Sequence, residues 1–102
     1  MNRRRVVITG VGAVTPLGIG AEESWQALCQ GKSGVIRITR FDASAFETQI
    51  AAQVQDFHAE DFLETKGIRR TDLFTQYAMA AARMAIADSR SSTAFRASSS
   101  FP

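Results

Sequence analysis

Three groupings in the sequence have residue types and spacings that can carry chemistry. Gly10-Val11-Gly12 follows a run of β-branched residues, and glycines in that position can admit a phosphate to the amino terminus of a helix. The third glycine of that dinucleotide fingerprint is missing, since Thr15 stands in its place. The related Thr-Gly-x-x-x-Gly-x-Gly form fails at Val14 and Pro16. Pro16 also lacks the amide that a phosphate cradle would use. A small nucleotide-binding module stays open as one alternative.

The second grouping is a possible nucleophile and base, Cys29 and His58. Cys29 is in register with Trp25 and Leu28 at the end of a helical pattern, where the helix dipole disfavours a thiolate. It is expected to be a small buried core residue. His58 is the only histidine, beside Glu60 and Asp61, so neither a metal site nor a Cys-His pair is expected. The third grouping is basic. Lys66, Arg69 and Arg70 stand at i, i+3 and i+4, which puts them on one face if the segment is helical. Such a face suits an acidic helix or a phosphate-bearing partner, although an ordinary solvated face has the same spacing.

These groups need elements to position them. Arg5 to Gly10 is apolar and β-branched without polar alternation, which predicts a strand covered on both faces. Gly10 to Gly20, with Pro16, reads as an irregular turn-rich loop. Ala21 to Gln30 predicts an amphipathic helix with Ala21, Trp25, Leu28 and Cys29 on the packed face and Gly31 as its stop. Gln49 to Gln55 alternates as a half-exposed strand, with Ile50, Ala52 and Val54 on the apolar side. From His58 to Arg70 a helical segment is expected to break at Gly67. Asp72 then caps a longer helix, from Leu73 to about Asp88, whose apolar face is Leu73, Phe74, Tyr77, Ala80, Ala81 and Met84.

The chain has 102 residues, 45% of them hydrophobic and 22% charged, so it has the make-up of a globular chain with one core at most. All ten acidic residues precede residue 89, and Arg90 and Arg96 supply the net charge of +2. The globular part is therefore neutral, which argues against a nucleic-acid partner. No run of eighteen apolar residues predicts a membrane span. The basic start and apolar Val6–Ala13 lack a signal-peptide cleavage site, and one cysteine suits a reducing compartment, so a cytoplasmic location is expected. Ser89 to Pro102 is serine-rich and without period, which predicts a disordered tail after a structured part spanning residues 1–88.

Four motifs in order resemble one family. Arg4-Arg5-Val6-Val7-Ile8-Thr9-Gly10-Val11-Gly12 running into Thr15-Pro16-Leu17-Gly18 resembles the opening of elongating β-ketoacyl-[acyl-carrier-protein] synthases of the synthase II kind. Trp25 to Gly34 resembles the family's Trp-x-x-Leu-x-x-Gly-x-Ser-Gly helix exit, and Phe41-Asp42-Ala43-Ser44 its Phe-Asp-x-Ser turn. Arg69-Arg70-Thr71-Asp72-Leu73-Phe74-x-x-Tyr77 resembles its Arg-Lys/Arg-x-Asp-x-Phe-x-x-Tyr segment.

The resemblance implies an α/β chain that is the amino-terminal part of a thiolase-like fold, a layered αβαβα arrangement, with residues 5–10 as a central strand. It implies decarboxylative Claisen condensation of acyl and malonyl thioesters in fatty acid or polyketide synthesis, by homodimers. Acyl carrier protein would be the partner, its phosphopantetheine would hold the substrates, and no further cofactor is implied.

The family's thiolate, oxyanion-binding amides and two histidines match no position here, neither Cys29 nor His58, so the chain by itself is expected to be inactive. The basic positions that hold the carrier protein's acidic helix do match, at Lys66, Arg69 and Arg70. After Ala87-Asp88-Ser89 the resemblance stops, and a shifted or prematurely ended reading frame would account for the change. A non-catalytic carrier-protein-binding or dimerising module is the other alternative.

Overall fold

The computed structural model describes residues 3–89. Its strands are β1 (Val14–Thr15), β2 (Gly18–Ile19), β3 (Val35–Arg37) and β4 (Ile50–Ala52), and its helices are α1 (Ala21–Cys29), α2 (Thr65–Arg70) and α3 (Leu73–Asp88). A single 3₁₀ turn at Ala59–Asp61 precedes α2. No helix among the described residues is long and apolar enough to cross a membrane.

The first strand expected from the sequence is not formed. Residues 3–13 pair with no described strand, and Val6, Val7 and Ile8 are 91%, 69% and 86% exposed. Successive residues of a strand point to opposite faces, so both faces of this run are bare. Its residue types suit a doubly covered strand, but a strand exists only where a neighbour completes the hydrogen-bond ladder. No described strand lies beside it.

The glycine-rich segment holds more structure than expected. β1 and β2 form a tight antiparallel hairpin in which Val14 faces Ile19 and Thr15 faces Gly18. Thr15 organises the turn, because its hydroxyl oxygen accepts from the amides of Leu17 and Gly18, each at 3.1 Å. The same oxygen lies 2.7 Å from the Ser24 hydroxyl, which ties the turn to α1. α1 ends where the sequence places its stop. Gly31 has a φ of 75°, open to glycine at little cost, and its amide and that of Lys32 reach back to the carbonyls of Leu28 and Ala27.

β3 and β4 pair antiparallel, Val35 with Ala52 and Arg37 with Ile50. The expected strand at Gln49 to Gln55 is shorter, and its burial is out of phase with the expectation. Ile50 is exposed while Gln53 is buried. The Gln53 amide is satisfied in place, donating to the Thr39 hydroxyl at 3.0 Å and accepting from the Thr39 amide at 3.3 Å. Arg40 joins this hairpin to α3 by donating to the carbonyl of Val54 at 2.8 Å and to the Tyr77 hydroxyl at 3.0 Å. Phe57 meets the Tyr77 ring edge to face at 4.8 Å and stacks on Phe62, which closes the same junction.

Before β4, the Asp42 to Ser44 turn is held by the Asp42 carboxylate. Hydrogen bonds from the Ser44 hydroxyl and then from its amide, the latter at 3.0 Å, lower the Asp42 pKa below the ordinary aspartate value. A lowered pKa means that the turn gains from the ionised form above the ordinary value and loses that gain as pH falls through the lowered one. Carbon-detected NMR titration should therefore place the Asp42 midpoint below the ordinary aspartate value, and Ser44→Ala should move it back up. Equal midpoints in the two chains would refute the assignment.

α3 spans the residues expected of it, and Ala80 at its centre is fully buried. Asp72 occupies the cap position but makes no side-chain cap bond, contrary to expectation. Leu73 and Phe74, expected on the packed face, are exposed, as are Trp25 and Leu28 of α1. The described apolar core is Ala27, Ala43, Ala59, Leu63 and Ala80, in which Leu63 is the one large side chain, while others such as Trp25, Phe41 and Phe74 stand exposed among the described residues.

Candidate functional site

The basic face is built on α2, a helix of six residues that is too short to be stable by itself. It runs through Gly67 rather than breaking there, contrary to the sequence reading. Its inner side, with half-buried Ile68, lies against the 3₁₀ turn and the buried Leu63. Lys66, Arg69 and Arg70 point the other way and are exposed. None of the three makes a side-chain hydrogen bond or ion pair among the described residues. The structure thus leaves three cations on one helical face free to meet an anionic partner.

The carboxyl end of α2 is held by side chains the sequence reading passed over. The Thr71 hydroxyl donates to the Gly67 carbonyl at 2.7 Å, and Gln76 Nε2 reaches the carbonyls of Ile68 at 3.3 Å and Thr71 at 3.2 Å. The signal for Gln76 in the sequence is a lone amide amid the apolar residues of α3.

The other candidates are placed differently. Cys29 is the last residue of α1 and is exposed, not buried as expected, as are Trp25 and Leu28 on the same face. His58 is exposed and its Nδ1 lies 3.6 Å from Glu60 Oε1, an arrangement of surface groups. Among the described residues no three His, Cys, Asp or Glu side chains converge as a metal ion requires.

Gly10 and Gly12 serve packing. A Cβ on Gly12 would overlap the carbonyl oxygen of Ala81 and stand 2.8 Å from the amide nitrogen of Ala85. One on Gly10 would overlap the Ala85 carbonyl oxygen and stand 2.6 Å from the nitrogen of Ser89. The Val11 amide donates to the Asp88 carboxylate at 3.0 Å. A phosphate at this loop would meet helix carbonyls and a carboxylate, where a phosphate-binding loop presents amide donors. Elsewhere, Leu17, Trp25, Leu28, Val35 and Ala52 line an open apolar concavity of about 480 Å³.

Residues 3–99 match the family model described as β-ketoacyl synthase, N-terminal domain. This chain belongs to the β-ketoacyl synthase family. It is 60% identical over 89 residues to a 3-oxoacyl-[acyl-carrier-protein] synthase 2 of Coxiella burnetii, a match covering 87% of the chain and 22% of that protein. A 3-oxoacyl-[acyl-carrier-protein] synthase 2 of Vibrio harveyi is 45% identical, with 87% of the chain and 21% of that protein covered.

The solved structure of the ishigamide ketosynthase/chain length factor superposes with a TM-score of 0.79 at 41% identity, over 86% of the chain and 22% of the other. The β-ketoacyl synthase chain thus spans about a fifth of the length of these relatives. Its fold is the amino-terminal part of the thiolase-like fold, as the sequence motifs implied. In that setting the bare run at Val6 to Ile8 keeps the composition of a strand covered on both faces. The expected serine-rich tail, residues 89–102, lies outside the described residues except for Ser89.

Proposed function

We propose that this chain is the carrier-protein-facing, amino-terminal part of a 3-oxoacyl-[acyl-carrier-protein] synthase, with Lys66, Arg69 and Arg70 as the docking residues. The observation that carries the reading is that all three cations are exposed on one face of α2 and have no partner among the described residues. The reaction served is condensation in fatty acid or polyketide synthesis. An acyl group moves from the carrier's thiol to an enzyme thiolate, malonyl thioester loses carbon dioxide, and the resulting enolate attacks the acyl thioester and expels the thiolate. Acyl carrier protein is the partner, a second synthase subunit is expected in the assembled enzyme, and the proposed location is the cytoplasm.

The chain by itself should dock without condensing. Its one cysteine, the exposed last residue of α1, matches no catalytic position of the family, and one histidine cannot do the work of two. Titrating the 102-residue chain with phosphopantetheinylated acyl carrier protein should give saturable binding. Mixing it with acyl and malonyl carrier proteins should release no carbon dioxide above the protein-free rate. Carbon dioxide release that depends on the chain would overturn the inactive reading, and an absence of saturable binding would overturn the docking reading.

A further inference from the structure

Gln76 is nine-tenths buried and polar, and its surroundings fix what it must do. Its Nε2 faces three oxygens, the Ile68 carbonyl at 3.3 Å, the Thr71 carbonyl at 3.2 Å and Thr71 Oγ1 at 3.4 Å. The proton of that hydroxyl is already committed to the Gly67 carbonyl at 2.7 Å. All three oxygens therefore act as acceptors, and only a donor satisfies them. The end carbonyls of a helix need partners from outside it, and in α2 the Gly67 carbonyl receives the Thr71 hydroxyl while the Ile68 carbonyl receives Gln76 beside the Thr71 amide at 3.4 Å.

At the other end of α2, Glu64 stands at the cap position without a side-chain cap bond. So short a helix takes its direction from what holds its ends. We infer that Gln76 and Thr71 are positioning residues for the docking face, clamping the carboxyl end of α2 to the first turn of α3 so that Lys66, Arg69 and Arg70 are presented together. The inference rests on the docking role proposed for those three cations.

The test measures Kd of the 102-residue chain for phosphopantetheinylated acyl carrier protein across a salt series. The variants are Gln76→Met, Thr71→Val, Thr71→Ser and the triple Lys66→Glu, Arg69→Glu, Arg70→Glu. Gln76→Met takes the side-chain donor away from the part-buried Ile68 and Thr71 carbonyls, and it should raise Kd about tenfold at low salt. It should also flatten the dependence of Kd on salt, because fewer of the three charges engage at once. Thr71→Val should act in the same direction, and Thr71→Ser, which keeps the hydroxyl, should recover the parent behaviour.

A variant that merely unfolds more of the chain lowers the competent fraction without changing that salt dependence. An unchanged dependence in Gln76→Met and Thr71→Val therefore overturns the inference even if Kd rises. If Gln76→Met does not fold, the two Thr71 variants decide. Where the triple reversal removes binding but the Gln76 and Thr71 variants bind as the parent does, the positioning role falls and the docking role stands. Where the triple reversal leaves Kd unchanged, the docking role itself is wrong and the positioning role falls with it.

Discussion

Gly12→Ala is expected to detach residues 10–15 from α3 and to cut the hydrogen-exchange protection of the Val11 amide by roughly tenfold to a hundredfold. The new Cβ would meet the Ala81 carbonyl oxygen and the Ala85 nitrogen, both backbone atoms that cannot swing aside. Accommodating it means separating the segment from the helix, and overpacking of this kind costs about 1 to 3 kcal/mol. The Val11 amide reports the separation directly, because its partner is the Asp88 carboxylate on α3. Gly67→Ala is the matched control. Its Cβ would meet only the Leu63 Cβ at 4.0 Å, an ordinary contact, so α2 should keep its protection or gain some. Undiminished protection at Val11 in Gly12→Ala would show that the close approach of loop and helix does not hold in solution.

Reversing Lys66, Arg69 and Arg70 together to glutamate should raise Kd for acyl carrier protein about a hundredfold at low salt. Each reversal exchanges an attraction for a repulsion, and the three act on one acidic partner surface. The groups are exposed, so the loss should shrink as salt is added. No side-chain bond within the described residues depends on these three groups, so helix content by circular dichroism should change little. A Kd within about twofold of the parent at low salt would mean that the face is solvated and idle.

Much of the architecture was legible from local pattern. α1 and α3 have the helical period, and Gly31 stops α1 where a left-handed φ was needed. Features that depend on distant partners were not legible. Val6 to Ile8 has the composition of a buried strand, yet composition supplies no neighbour to pair with, and the run stands bare. The apolar alternation around Ile50 predicted its burial, but bonds to Thr39, fourteen residues earlier, draw Gln53 inward instead. Cys29 kept its register with Trp25 and Leu28, and the whole face is uncovered.

The docking candidates divide in the same way. The spacing of Lys66, Arg69 and Arg70 was enough to place them on one face, because i, i+3 and i+4 share a face in any helix. Gln76 escaped notice because its role depends on an acceptor cluster assembled by the turn at Thr71, which no spacing rule describes. The glycines at 10 and 12 suggested a backbone requirement, but its nature, contact with the alanine backbone of α3, emerged only with the helix in place.

The most direct test of the central claim is to label the chain with ¹⁵N and record its amide spectrum while adding phosphopantetheinylated acyl carrier protein. The account predicts saturable shifts that concentrate on residues 65–72 and reach the side-chain amide of Gln76. Shifts confined to the β1–β2 hairpin and α1, with α2 unmoved, would contradict it.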